Sequence, residues 1–252
     1  MAMTFAWKIR PGAFLGAALL ALAALPCACG AASGGEAGDS AEERIKARFT
    51  VAFTLDMPVL GVQAADDDLR AFMDRQVRWG LENGADRFGA EPDESIHITV
   101  AGTASRPLPG ILSVFLTTNF DNNLAAHPTQ MLAVRHYDAL TGEPAGLDAL
   151  FAEPERALTL FRWLAPDAVI RWGQESAGEG GLAFGREDLF MEGFRLEHEN
   201  YSAYTLEPGG IRLHFQQYQV LPYAWGQPEA FMPLEALAAA GPSETVWPKR
   251  DD

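Results

Sequence analysis

Apolar and polar residues follow two regular patterns along the first half of the chain, and each pattern predicts a type of secondary structure. Between residues 48 and 55 the apolar side chains alternate, which is typical of a half-buried strand. Between residues 66 and 88 apolar residues recur near the helical period. Asp66, Asp67 and Asp68 occupy the first turn, where acidic side chains favour the helix dipole. This second segment is predicted to form an amphipathic helix.

Three further strands are predicted before residue 140. Residues 95–102 alternate between apolar and polar, residues 111–120 carry apolar side chains on both faces, and residues 131–137 form a third run. Turns are predicted at 107–110 and at 138–142, which reads DALTG. The second of these strands is expected to lie deepest in the sheet, because both of its faces carry apolar side chains.

The second half of the chain begins with predicted helices and ends with a predicted hairpin. Residues 147–151 and 157–173 have helical periodicity, and Pro166 predicts either a kink or two segments. The pattern of residues 187–194 is ambiguous. The remaining predicted elements are a loop at 174–185, strands at 201–206 and 211–215, an aromatic and proline-rich loop at 218–226, a brief strand at 228–233 and a helix that begins at 234–237.

These elements predict an α+β fold with mixed or antiparallel sheets, packed helices and two closely associated subdomains that share one sheet region. The predicted parts are a signal at 1–29, a tether at 30–46, an N-terminal α+β unit at 47–140, a C-terminal domain at 141–240 and a frayed tail at 241–252. Residues 31–43 contain no large apolar side chain, so the tether is expected to supply reach rather than structure.

Residues 1–29 have the features of a secretory signal. Lys8 and Arg10 precede an apolar run at 14–25, which is short for a membrane span. The residues around Cys29 resemble a lipoprotein cleavage box, so lipidation of Cys29, ordinary cleavage within 30–32 and an uncleaved anchor all stay open. Each alternative predicts export to the periplasm or cell envelope, with membrane contact only through this N-terminal anchor.

The net charge limits the partners that the chain can bind. It is −15, from 34 acidic and 19 basic residues, and this argues against nucleic acid because phosphate binding needs a basic surface. Removal of the signal takes Lys8 and Arg10 with it and leaves −17, which suits a basic partner. Cys27 and Cys29 both lie at the end of the signal, so the folded part is expected to have no disulfide or thiolate metal site.

No catalytic or metal-binding motif stands out in the sequence. His127, His136 and Asp138 form the nearest cluster of ligand-type residues, but no histidine pair has the i, i+4 or H-E-x-x-H spacing of a metal site. Ser113 lies inside a predicted strand rather than on a G-x-S-x-G turn. Neighbouring carboxylates such as Glu197 and Glu199 are expected by chance in so acidic a chain. We therefore predict neither an enzyme nor a bound metal or cofactor.

Two segments carry a resemblance to a known family. Residues 215–226 fit F-x-x-Y-x-V-x-P-Y-x-x-G and precede a proline-led helix. Residues 112–130 (LSVFLTTNFDNNLAAHPTQ) precede a Tyr-Asp turn, a Thr-Gly pair and an Asp-x-Leu-Phe helix start. Together they resemble the C-terminal domain of RsiV-type anti-sigma factor ectodomains, a domain that also lies ahead of the catalytic domain in PdaC-type peptidoglycan deacetylases. The resemblance runs from about residue 49 to residue 237, with Ala125 where the family has glycine.

The resemblance implies an exported, envelope-associated, non-enzymatic domain that recognises lysozyme, another basic envelope protein, or peptidoglycan. The candidate ligand-binding residues are His127, Tyr218, Tyr223 and Trp225. Tyr218 is expected inside the fold, and Tyr223 or Trp225 nearer the rim. Inhibition of a sigma factor is not expected, because only residues 1–10 precede the apolar run.

Other interpretations of the same residues stay open. His127 could hold its loop by bonding a backbone carbonyl, and the aromatic loop could seal the boundary between sheet and helix. His127 with a nearby aspartate would suit a cell-wall hydrolase or esterase, and a structural lipoprotein would have no soluble ligand. A concave pocket that collects His127, an acid and a nucleophile would favour the enzyme, whereas a flat aromatic face would favour binding.

Overall fold

The computed structural model describes residues 5–7, 50–87, 95–122, 128–177 and 184–248. In these ranges eight strands form two sheets, and the fold class is α+β, as the sequence predicts. Neighbouring strands of the first sheet pair in parallel from β1 to β3 and antiparallel from β3 to β5. In spatial order these strands are β1 (Phe5–Trp7), β2 (Thr50–Asp56), β3 (Ser95–Ser105), β4 (Ile111–Asn122) and β5 (Thr129–Asp138).

Three helices and a second, antiparallel sheet complete the regular structure of the described ranges. Helix α1 (Gln63–Arg87) connects β2 to β3, and α2 (Leu147–Leu150) and α3 (Pro154–Ala177) follow the first sheet. The second sheet consists, in order, of β6 (Tyr204–Glu207), β7 (Gly210–His214) and β8 (Glu229–Pro233). Among the residues described, no helix combines the length and the apolarity that a membrane span requires.

Helix α1 packs against one face of the first sheet. Leu69 and Met73 bury their side chains on β3 and β4. Asp68, on the same helix, accepts hydrogen bonds from the guanidinium of Arg135 (2.7 Å) and the hydroxyl of Tyr137 (3.0 Å) on β5. Burial alone would raise the pKa of Asp68, but these two donors and the charge of Arg135 hold it below its usual value. Asp68 therefore ties the helix to β5.

Helix α3 packs against the second sheet and runs as one helix through Pro166, so of the two predicted alternatives, a kink or two segments, the second is wrong. Its apolar face continues on both sides of the proline, with Phe161, Ala165 and Val169 all fully buried. They pack in one core with Ile211 of β7. Burial of this face offsets the single backbone hydrogen bond that proline cannot donate.

The two sheets are separate, so the prediction of one shared sheet region is also wrong. They meet through side chains: the ring centroids of His136 and Tyr204 lie 4.8 Å apart, and those of Phe115 and His214 lie 5.1 Å apart. The free edge of β5 does not pair with a strand of the second sheet. Instead, the N–H and C=O of Leu132 on this edge donate to and accept from the side-chain amide of Gln216.

The end of the chain packs more closely than its composition predicts. Val246 and Trp247 are buried, and the indole Nε1–H of Trp247 donates to the backbone oxygen of Glu207 at 3.0 Å. The prediction of a frayed tail from residue 241 is therefore wrong as far as Trp247. These two side chains complete the hydrophobic core between α3 and the second sheet, which we call the second core. The helix predicted to begin at 234–237 is a turn that ends in a 3-10 segment, Ala238–Ala240.

Candidate functional site

The aromatic loop after β7 presents a tyrosine in an unusual conformation. Tyr218 has φ +64°, and among the described residues it is the only one other than glycine with a positive φ. Its side chain is 56% exposed, so the expectation that it lies inside is wrong. Val220 and Leu221, both fully buried, fill the core at this point, and the reversal of the backbone at Tyr218 turns its ring outward.

Tyr218 and Tyr223 form a stacked pair on this surface. Their ring centroids lie 5.6 Å apart, and the rings are tilted by 31°. Tyr223 is half-buried and begins a 3-10 segment, Tyr223–Trp225, which follows Pro222. The N–H of Phe190 donates to the Val220 oxygen at 2.9 Å, which joins the backbone before Met191 to the same loop, and both Phe190 and Met191 are exposed. We call Tyr218, Tyr223, Phe190 and Met191 the aromatic surface.

The loop is held rigidly by one glutamine side chain. Gln219 accepts a hydrogen bond from the Gln216 N–H at 2.9 Å and donates to the backbone oxygens of Asn200 (3.0 Å) and Gly193 (3.3 Å). Gly193 lies so close to the loop that a Cβ there would be 2.0 Å from the Gln219 oxygen. The conformation of Tyr218 is thus fixed by contacts on both sides before any partner arrives.

Trp225 occupies a different position from the two tyrosines. It is half-buried, packs against the second core, and its ring centroid lies 4.6 Å from that of Phe184 at an angle of 68°. The structure therefore brings Tyr218 and Tyr223 together and turns Trp225 toward the core. His127, the remaining predicted ligand-binding residue, lies outside the described residues, as does Cys29.

His136 lies in the interior, where the two sheets meet. Its Nε2–H donates to the Tyr204 oxygen at 3.0 Å, and this leaves Nδ1 to accept the Ser113 hydroxyl at 2.7 Å. Burial lowers the pKa of His136 to about 4, so the ring is neutral at physiological pH. Both Ser113 and His136 are buried, and the far side of the imidazole faces a carbonyl rather than a carboxylate. The bond from His136 to the Tyr204 oxygen links the two sheets.

Asp138 does not join His136 in a ligand cluster. Its carboxylate accepts the N–H groups of Leu140 (2.8 Å) and Thr141 (2.7 Å) in the turn after β5. These two backbone bonds hold the pKa of Asp138 below its usual value. In the part of the chain that the structure describes, no three His, Cys, Asp or Glu side chains are grouped so as to hold a metal ion.

A charged cluster lies on the face of the second sheet that carries Arg212 and His214. Arg212 bonds Glu207 at 2.6 Å and Glu229 at 3.4 Å, and His214 Nδ1 lies 3.2 Å from Glu229. The hydrogen bond with His214 is the main cause of a lowered pKa of Glu229. The alternation of residues 211–215 predicts a polar face here, but the cross-strand partners depend on the register of β7 with β8.

Comparison with known proteins shows that the aromatic loop lies in a segment that matches the model of a sequence family. The model of a family described as "Protein of unknown function (DUF3298)" matches residues 175–235. No curated protein matches the chain. A DUF3298 family protein from Pseudomonas aeruginosa is 16% identical, with a TM-score of 0.47, over 69% of this chain and 71% of that chain.

A second solved structure, of a DUF3298 family member from Bacteroides fragilis, is also 16% identical. Its TM-score is 0.37, and the match covers 68% of this chain and 63% of that chain, which is less than two thirds of its length. The segment of this protein from the end of α3 through β8, which carries Tyr218 and Tyr223, is thus similar to the DUF3298 family, a family of unknown function.

Proposed function

We propose that this protein is an exported, envelope-associated, non-enzymatic binding domain that recognises a basic protein of the lysozyme class through the aromatic surface. The single observation that carries the proposal is the conformation of Tyr218. Its backbone is left-handed, and its ring is exposed and stacked on that of Tyr223. The resemblance of residues 49–237 to RsiV-type ectodomains supplies the class of partner.

The conformation of Tyr218 supports a role outside the stability of the fold. A left-handed backbone costs a non-glycine residue about 1–2 kcal/mol, and an exposed ring recovers little of this by burial. Exposed aromatic side chains on rigid supports are the residues that most often anchor protein interfaces. Phe190 and Met191, whose backbone is bonded to the same loop at Val220, are further exposed apolar side chains that a partner could contact.

The charge of the chain favours a basic protein over a neutral glycan. A net charge of −15 attracts a cationic partner at long range and raises the rate at which the two meet. Peptidoglycan is the alternative ligand, and a stacked tyrosine pair also suits a sugar ring. Binding to purified peptidoglycan in the absence of lysozyme binding would replace the partner in this proposal.

The non-enzymatic part of the proposal is supported by the position of the Ser113 and His136 side chains. The serine hydroxyl lies in the interior and donates to His136, so it does not face a surface where a substrate could bind. A hydrolase or esterase would lose its activity on His127→Ala while keeping its fold. A turnover assay on glycan, peptide and ester substrates, accompanied by circular dichroism, tests this alternative.

Export is the third part of the proposal, and the charged start followed by an apolar run at 14–25 supports it. Removal of residues up to about 29 would also remove β1, whose residues pair with Phe53–Leu55, and leave β2 as an edge strand. Mass spectrometry of envelope fractions should find a shortened or acylated chain, and an acyl group on Cys29 would identify the anchor. An intact soluble chain in the cytoplasm would contradict export.

The binding proposal is tested by surface plasmon resonance against a lysozyme and purified peptidoglycan. Tyr218→Ala and Tyr223→Ala should each weaken lysozyme binding roughly thirtyfold, which corresponds to about 2 kcal/mol for an aromatic anchor. Leu140→Ala, at an exposed position in the turn after β5, is the control and should change nothing. No binding of the wild type to either ligand would end the proposal and favour a structural lipoprotein, and unchanged affinity in both tyrosine variants would move the surface elsewhere.

A further inference from the structure

The outer edge of β5 is covered at both ends by hydrogen-bonding groups. The Leu132 N–H donates to Gln216 Oε1 at 2.8 Å, and Gln216 Nε2 donates to the Leu132 oxygen at 2.7 Å. Further along, the Ala145 N–H donates to the His136 oxygen at 2.8 Å. In an antiparallel pair the N–H and C=O of alternate residues point to the same side, so the even-numbered residues of β5 face away from β4.

Val134 lies between these covered positions, and its backbone is open. Its N–H and C=O point away from β4, by the same alternation that places Leu132 and His136. Within the ranges that the structure describes, neither group has a partner, and neither does the N–H of His136. The Val134 side chain is buried, and unpaired backbone groups at a buried strand cost free energy unless water or a ligand pairs with them.

A cleft of about 400 Å³ lies along this open edge. Val134 and His136 line one side, and Leu147, Tyr201 and Tyr204 line it with apolar or aromatic groups. Ser202, which is exposed, also lines the cleft. Its volume lies in the range of pockets that bind small ligands, and Arg135, His198 and Glu199 add charged and polar groups to its walls.

We propose that this cleft binds a short extended peptide segment of a partner protein, which adds to β5 as a strand of about three residues. Along the open edge lie, in order, the Val134 N–H, the Val134 C=O and the His136 N–H. An extended peptide presents an acceptor, a donor and a second acceptor that can pair with these three groups. The added strand cannot be longer, because Gln216 occupies the edge at Leu132 and Ala145 occupies it at His136.

The geometry at Leu132 shows which amide fits this edge. Gln216 satisfies the N–H and C=O of one residue with a primary amide, whose donor and acceptor lie on the same side. A residue of an extended peptide also presents its own N–H and C=O on one side. The acetamido group of a sugar is a trans secondary amide with its donor and acceptor on opposite sides. It cannot pair with both groups of Val134, which favours a peptide over a glycan.

The first test is a nuclear magnetic resonance titration of the ¹⁵N-labelled protein with the blocked tripeptide acetyl-Ala-Val-Ala-methylamide. The amide signals of Val134 and His136 should shift in a saturable manner. The same tripeptide with every backbone nitrogen methylated has no donor for the Val134 oxygen, and it should bind at least tenfold more weakly. Absence of a saturable shift, equal binding of the methylated peptide, or equal shifts with N-acetylglucosamine would overturn the proposal.

Three variants locate the site. Val134→Pro removes the outward N–H, keeps the ladder with β4 and also replaces the buried Val134 side chain with a proline ring; edge strands tolerate proline. Ser202→Trp fills the cleft from its wall, and Leu140→Trp is the control in an exposed turn. The first two should each weaken tripeptide binding at least tenfold, with the control unchanged. If Val134→Pro does not fold, Ser202→Trp alone decides, and wild-type affinity in a folded Ser202→Trp would refute the site.

This proposal does not depend on the aromatic surface, because the two sites share no residue. Loss of lysozyme binding in the tyrosine variants would leave the tripeptide titration unchanged. Conversely, a failed titration at Val134 would leave the proposed function of Tyr218 and Tyr223 as it stands.

Discussion

At the scale of one residue, the first prediction concerns the stability of variants at Tyr218. The loss of the ring and the steric cost of the left-handed backbone can be tested separately there. Tyr218→Gly and Tyr218→Ala both remove the ring, but only glycine adopts φ +64° without steric cost. We expect the glycine variant to be more stable than the alanine variant by about 1 kcal/mol in urea denaturation. Tyr223, where no positive φ occurs, is the control, and there alanine should be the more stable replacement. Equal stability of the two Tyr218 variants would contradict the strain argument.

A second prediction concerns His136 and the dependence of the unfolding free energy on pH. The unfolded chain binds a proton at this residue below pH 6.5, whereas the folded protein binds it only near pH 4. Stability from the neutral ring is therefore complete above pH 6.5 and is lost as the pH falls through this window, by about 3 kcal/mol in total.

His136→Gln is the matched variant, because the glutamine amide can accept from Ser113 and donate to the Tyr204 oxygen without titrating. The difference in unfolding free energy between wild type and variant, measured by chemical denaturation from pH 7 to pH 4, should move against the wild type as the pH falls. A constant difference would mean that the folded protein protonates His136 as easily as the unfolded chain does.

At the scale of the elements, Gln216, which follows β7 of the second sheet, links that sheet to the edge strand β5 of the first sheet. Gln216→Met keeps the volume of the side chain but leaves the N–H and C=O of Leu132 without partners, so it should cost about 2 kcal/mol of unfolding free energy. Gln217→Met removes a single bond of 3.2 Å, to the Gln130 N–H, and should cost less than half as much. Equal costs in thermal or urea denaturation would contradict the two-bond link.

Most elements are predicted from the sequence because their signals are local. Apolar side chains on both faces over residues 111–120 and helical spacing over residues 66–88 predict β4 and α1 within a few residues of the observed bounds. The separation of the two sheets has no local signal. It depends on Gln216 and Leu132, which lie 84 residues apart in the chain.

The candidate site follows the same division. The sequence predicts an aromatic loop after β7 and names both stacked tyrosines, because aromatic and proline residues are visible in one short segment. It places Tyr218 inside the fold, whereas the ring is exposed, because the left-handed backbone at Tyr218 has no signal in the sequence. The open backbone of Val134 has no sequence signal, because every residue carries the same N–H and C=O groups.

At the scale of the whole molecule, the charge predicts how binding to a basic partner depends on salt. The association rate with lysozyme should fall about tenfold between roughly 20 and 150 mM NaCl, because added ions screen the attraction to a chain of charge −15. The dissociation rate should change much less, since close contacts at Tyr218 and Tyr223 set it. Surface plasmon resonance separates the two rates. A salt-dependent dissociation rate with a constant association rate would contradict electrostatic steering.

The position of β5 between two packed units also restricts how this chain can vary during evolution. Arg135 and Tyr137 bond to Asp68 of α1, whereas the side chain of His136, between them, faces Tyr204. Gain or loss of one residue inside β5 would exchange these faces and place the arginine between the sheets and the histidine against the helix. Natural relatives should therefore differ in length in the turn at 139–146 but keep residues 129–138 free of insertions and deletions.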